Sequence, residues 1–217
     1  MYDTNMKKIL LITLLLLTTS FAKFQAYIYD ISPNLKERMI RDNSWREGCP
    51  VDTTDLRYIK LTYLNFDGYD SIGELIVHKS IANNIVNIMR ELYEIGYPIR
   101  DMKLVSEFKG SDWKSIEADN TSAFNCRKAT GSKKWSKHSY GRAIDINPIE
   151  NPYISRKGNI SHKESLKYRR RQHINNSPSD RAVLLGDDRA TLIFKKYGFK
   201  WGGDWRTIKD YQHFVKK

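Results

Sequence analysis

The residue that most restricts how this chain can fold is an aspartate set between two isoleucines. It sits in Ser136-Lys137-His138-Ser139-Tyr140-Gly141-Arg142-Ala143-Ile144-Asp145-Ile146-Asn147-Pro148. The second half of that stretch reads as a strand in which Ala143, Asp145 and Asn147 share one face by two-residue alternation. A carboxylate entering a half-buried strand is costly unless a cation or a hydrogen-bond network compensates it. Near the C-terminus, Asp210-Tyr211-Gln212-His213-Phe214 offers a second histidine with a carboxylate at short spacing. Histidine nitrogen and aspartate oxygen are donors that zinc accepts, and a catalytic zinc keeps three protein ligands and one open position. His138, Asp145 and His213 complete such a set.

Ser136, His138, Gly141, Ala143 and Asp145, followed by Gly202-Gly203-Asp204-Trp205 and then Asp210, His213 and Phe214, form a pattern in two blocks. The pattern resembles the VanY-type D-alanyl-D-alanine carboxypeptidase family of zinc peptidases, in the wider group that holds lysostaphin-like enzymes and the Hedgehog fold. Gly48-Cys49-Pro50, Ala118 to Arg127 and Asn151-Pro152-Tyr153 extend the likeness from about Cys49 onward. The resemblance implies zinc held by His138, Asp145 and His213. It also implies that Asp210, the acid of the Asp-x-x-His element, is the general base, and that Arg127 is the arginine facing the substrate. The substrate would be a peptidoglycan stem peptide, cut by a D,D- or L,D-carboxypeptidase or by an L-Ala-D-Glu-type endopeptidase. One departure is visible: relatives commonly carry Glu after the His-Phe pair, and this chain has Val215. The rival reading is a non-catalytic cell-wall-binding module on the same fold, against which Asp210 and the complete ligand set argue.

At 217 residues the chain suits one domain with a real core. Met1 to Ala22 reads as an export signal: Lys7 and Lys8 lead, Ile9 to Leu17 is apolar, and Ser20-Phe21-Ala22 resembles a cleavage site. The apolar run is shorter than the roughly 18 residues that span a bilayer, so no stable membrane span is expected after cleavage. The expected division is signal peptide 1–22, N-terminal arm 23–55 and zinc peptidase domain 56–217, acting as an exported monomer. The whole chain carries a formal charge of +12. Loss of Lys7, Lys8 and Asp3 would leave 35 basic and 24 acidic residues, or +11. Such a surface attracts anionic cell-wall polymers. No nucleic-acid-binding motif accompanies it. Outside the cytosol the two cysteines, Cys49 and Cys126, read as a disulfide, with a nucleophilic Cys126 as the rival.

Strand alternation and the scarcity of long helices predict an α+β single domain, with a small, mainly antiparallel sheet carrying the zinc site and helices packed on it. Ser32 and Pro33 open a short helix through Met39. Strands are expected over Leu56 to Asn65, Ile72 to His78 and Met102 to Phe108. A long amphipathic helix with Ser80 as its cap, a stripe from Ile81 to Ile95 and Gly96 at its end should cover one sheet face. Ser155 to Arg181, with Arg169-Arg170-Arg171, reads as a long polar loop. His162 and His173 lie in that basic loop and are not ligand candidates, and His78 is at most a neighbour of the site. Trp201 and Trp205 read as scaffold.

Overall fold

The structure, a computed structural model, describes residues 24–217; the expected export signal, Met1 to Ala22, lies outside the described residues. In chain order the elements are β1 (Ala26–Asp30), α1 (Pro33–Arg41), β2 (Leu56–Leu64), β3 (Asp70–His78), α2 (Ala82–Glu94), α3 (Asp112–Glu117), β4 (Ala143–Asp145), β5 (Tyr153–Ile154), α4 (Pro178–Arg181), α5 (Arg189–Lys196), β6 (Lys200–Trp201), β7 (Lys209–Asp210) and β8 (His213–Val215). They form two three-stranded sheets, ordered β1-β2-β3 and β4-β8-β6, and a β5-β7 pair. Every one of these strand pairs is antiparallel. The architecture is α+β.

The first sheet is the scaffold. Alternation along β2 and β3 puts Ile59, Leu61, Tyr63, Leu75 and Val77 into one core with Ile85, Ile88, Met89 and Leu92 of α2. Each such aliphatic side chain contributes roughly 1.5–3 kcal/mol by leaving water. Ser32 caps α1, its hydroxyl accepting from Leu35 N at 3.2 Å, with Pro33 in the first turn. Within residues 24–55, β1 pairs with β2 from Ala26 opposite Leu61 to Asp30 opposite Arg57, which makes this segment part of the first sheet.

Two expectations are corrected here. Ser80 does not cap α2; a 3-10 turn, Lys79–Ile81, intervenes. The Ser80 hydroxyl is already engaged by His78 Nδ1 at 2.8 Å and Arg142 Nη2 at 3.1 Å. Met102 to Phe108 is not a strand but a link to a 3-10 turn at Val105–Phe108. Its only sheet-like contact to β3 is Glu74 N to Met102 O at 2.9 Å. The Met102 side chain then fills the space over Gly73, where a Cβ would lie 2.6 Å from its sulfur.

The second sheet carries the chemistry. Phe214 of β8 is fully buried and stacks on Phe194 of α5 at 3.9 Å. Ile144 of β4 enters the same core, which joins both sheets. The alternation read for Asn147 stops at Asp145, because Asn147 has φ 42°. Its amide instead bonds Pro98 O at 2.9 Å, and its Oδ1 accepts from Arg100 N at 3.0 Å. A disulfide joins Cys49 to Cys126 with Cα atoms 5.9 Å apart. Among the described residues no helix is long and apolar enough to cross a membrane.

The stretch 155–181 is a long connection, as expected, with a 3-10 segment at Lys163–Tyr168 and the single turn α4. Its arginine run is not uniformly solvated. Arg171 is half-buried, donating to Glu150 O at 2.6 Å, Asn151 Oδ1 at 2.7 Å and Leu184 O at 3.0 Å. Burial pulls its pKa down to about 10.

Candidate metal centre

A 3-10 turn, Lys137–Tyr140, carries His138, and β4 and β8 carry Asp145 and His213. Register places Asp145 directly opposite His213. Gly141 makes the approach of the turn to the first sheet feasible: its φ is 63°, and a Cβ would lie 2.6 Å from His78 N. All three side chains are buried. Their ligand atoms lie within 4.8 Å of one another. His138 Nε2 is 3.1 Å from Asp145 Oδ2 and 3.2 Å from His213 Nδ1, and His213 Nδ1 is 2.9 Å from Asp145 Oδ1.

This arrangement fits a divalent cation. His138 Nδ1 donates to the Ala123 carbonyl at 2.5 Å, which leaves Nε2 as a lone pair in the neutral ring. Lone pairs on Nε2, on His213 Nδ1 and on the Asp145 carboxylate then converge in a buried space, an arrangement that requires positive charge at their centre. Without a metal, a proton supplies it. Burial alone pushes the Asp145 pKa up, but the facing His138 and His213 hold it well below the usual carboxylate range. Burial pulls the His213 pKa down, and its bond to Asp145 outweighs this and raises it. Two imidazoles and one carboxylate match the donor set of a zinc site with three protein ligands. The rest of the donor arrangement is typical too, since a ligating histidine usually gives its other N–H to a carbonyl or carboxylate.

Asp210 and Arg127 border the same cleft, a cavity of about 690 Å³ that opens on His138, Asp145 and His213. Asp210 lies in β7, opposite Tyr153. Gly202 of the Gly-Gly-Asp turn packs against it so closely that a Cβ there would fall 2.9 Å from Asp210 Cβ. Burial pushes the Asp210 pKa up to about 6. Its Oδ1 is buried with no hydrogen-bond partner. Arg127 is held by an ion pair of its Nη2 with Asp112 Oδ1 at 2.8 Å, while its Nε is buried without an acceptor. Its backbone is locked to the metal-ligand turn: Arg127 N donates to Ser139 Oγ at 2.9 Å, and Ser139 Oγ donates to Arg127 O at 2.6 Å. Arg46 Nη1 and the disulfide fix the preceding residue, with Arg46 donating to Cys126 O at 2.7 Å.

The cleft also takes in residues that the sequence reading left outside the ligand set. Trp205 lies over His213 with ring centres 5.5 Å apart, whereas Trp201 is core, its indole N–H donating to Tyr211 O at 2.7 Å. Trp113 of α3 meets His162 of the long connection at 3.9 Å, so His162 joins the cleft wall without joining the ligands. Arg171 stacks over Tyr211 at 4.4 Å, bracing the segment between Asp210 and His213. His173 pairs with Asp188 at 3.1 Å, and His78 ends at its turn. A second cavity of about 580 Å³ near Tyr97 and His173 offers no comparable set. There the Asp180 carboxylate is taken by the backbone N–H groups of Ile174, Asn175 and Asn176.

Residues 130–216 match the model of the family described as D-alanyl-D-alanine carboxypeptidase. That stretch, under half of the chain, is similar to this peptidase family. The match contains the three converging residues and Asp210, while Arg127 and Cys126 precede it. Comparisons with curated proteins and with solved structures returned no match.

Proposed function

We propose that the chain is an exported zinc peptidase that hydrolyses peptidoglycan stem peptides. The observation that carries this reading is the meeting of three lone-pair donors at the floor of a cleft that also holds a buried, unpartnered carboxylate oxygen on Asp210. His138 Nε2, Asp145 and His213 Nδ1 would hold the ion. A zinc ion there supplies a water acidified toward a pKa of about 7 and an electrophile for the carbonyl oxygen. Asp210, with a pKa near 6, is ionised at neutral pH. It takes the proton of the attacking water and delivers it to the departing amine nitrogen. Arg127 lines the cleft, where its guanidinium would offset charge developing on the carbonyl oxygen, and its pair with Asp112 holds it in place. Trp205 and the Trp113–His162 contact keep bulk water from the floor.

Export is supported by the charged and apolar pattern of Met1 to Ala22 and by the disulfide, which suits an oxidising compartment. The basic surface supports attraction to anionic wall polymers. The test is to load the purified chain with zinc, incubate it with peptidoglycan and weigh the released fragments. Zinc-dependent release is expected, and the fragment mass distinguishes loss of a terminal D-alanine from a cut within the stem. Stoichiometric zinc with no released fragment would instead support the wall-binding module.

A further inference from the structure

Gln212 stands between the base candidate and a metal-ligand candidate, and its side chain is incompletely satisfied. It is 5% exposed, and Oε1 is buried with no donor within reach. It lines the cleft beside Asp210 and His213. Its backbone is fixed, because Gln212 O accepts from Ile146 N at 3.0 Å, immediately beyond the β4–β8 ladder. The unpartnered atom is Oε1, the acceptor end of the amide. Buried polar atoms without partners are few in folded proteins, and leaving one costs free energy. In this cleft the unpartnered atoms are the Asp210 Oδ1 of the proposed base, a neutral acceptor on Gln212 and a donor on Arg127 Nε. A peptide unit presents one N–H and one C=O.

We infer that Gln212 is a substrate-contacting residue, its side-chain carbonyl accepting a backbone N–H of the bound peptide. The inference rests on the peptidase reading and deepens it: the cleft recognises peptide main chain, and a substrate lacking one particular N–H is disfavoured. The probe is the stem-type peptide L-Ala-D-Glu-L-Lys-D-Ala-D-Ala, with variants N-methylated at one amide at a time. Binding is measured by tryptophan fluorescence on the zinc-loaded Asp210→Asn chain, so that peptide is not consumed, with Gln212 intact or replaced. With Gln212, methylation at one amide should weaken binding roughly tenfold, the scale of one neutral hydrogen bond. With Gln212→Met, which keeps length and removes the acceptor, the methylated and plain peptides should bind alike. Gln212→Glu keeps an acceptor oxygen and should keep the discrimination, and zinc content should be unchanged throughout. Should Gln212→Met fail to fold, Gln212→Asn withdraws the oxygen by one methylene and serves the same comparison.

Equal discrimination in the Gln212→Met chain, or no sensitive amide in the chain with Gln212, overturns the inference. Hydrolysis of the peptide by the zinc-loaded wild-type chain is followed in parallel. Gln212-dependent binding without hydrolysis supports the contact and removes the peptidase reading. Hydrolysis without Gln212-dependent binding does the opposite.

Discussion

Removing the Cys49–Cys126 bond by the double substitution Cys49→Ala/Cys126→Ala should destabilise the chain by a large margin. The bridge spans a sequence separation of 77. In the chain-entropy account, a closed loop of that length restricts the unfolded chain by about 4.5 kcal/mol at 25 °C. Alanine avoids burying a hydroxyl where Cys126 sits, fully enclosed among Met39, Val51, Leu56, Ile76, Leu104 and Phe124. The small void left there works in the same direction as the lost cross-link. With a urea m-value of roughly 2–3 kcal/mol/M, the unfolding midpoint should fall by roughly 2 M, read by tryptophan fluorescence and far-ultraviolet circular dichroism together. The zinc content of the folded variant should not change, because His138, Asp145 and His213 are placed by a turn and two strands that the bridge does not join. Turnover should fall, since the bridge fixes the residue before Arg127. A loss below about 1 kcal/mol would refute the reasoning, and would mean that Arg46 and the Ser44 contact to Cys126 N hold the segment by themselves.

The two aspartates should separate by metal content and rate. Asp145→Ala should lose zinc and activity together, whereas Asp210→Ala should keep zinc while hydrolysis falls roughly 100-fold to 10,000-fold; zinc by atomic absorption beside muropeptide hydrolysis decides, and the reverse pattern would exchange the two roles. Zinc stabilisation should grow with pH. In the metal-free chain the raised His213 pKa gives stability that is fully present below about 6.5 and lost as pH rises through the folded pKa, while the lowered Asp145 pKa gives stability present above 3.8 and lost on acidification. Zinc must displace the His213 proton, so its affinity should rise by up to about tenfold per pH unit until that proton is gone. Melting temperatures with and without zinc from pH 5.5 to 8 should therefore diverge, and a constant gap would count against the pairing.

Much of the scaffold was legible because it obeys simple periods. The β2 and β3 alternation, the α2 stripe and the Ser32-Pro33 start each follow from one local rule, and each recurs in the structure. Asp145 was legible for the opposite reason: a charge inside an apolar strand breaks the pattern, and only a partner across the fold resolves the conflict. β1 carried no such signal, since Tyr27 and Tyr29 remain about half exposed on an edge strand and its apolar content faces two ways. Met102 to Phe108 misled because its apolar residues divide between two core clusters instead of sharing one sheet face. The cap of α2 was misread because a histidine at the end of β3 competes for Ser80, a tertiary choice that local propensity does not contain.

The remaining part of the site, which periodicity could not supply, consists of polar groups whose roles depend on what lies opposite. Arg169, Arg170 and Arg171 are equivalent in sequence, yet Arg171 alone is drawn inside by three carbonyl acceptors and the Tyr211 ring. Its guanidinium therefore supports the backbone between Asp210 and His213 from behind, while Gly202 presses on Asp210 from the side. The consequence is chemical as well as structural. A general base must hold its carboxylate within about 3 Å of the proton it takes, and Asp210 sits on a strand of two residues with little stiffness of its own. Placement of the proposed base thus depends on a packed arginine, a glycine that admits close contact and the backbone bond at Gln212. These neighbours explain how so short a strand can hold the Asp210 carboxylate in the cleft beside the candidate cation site, outside the set of three converging groups.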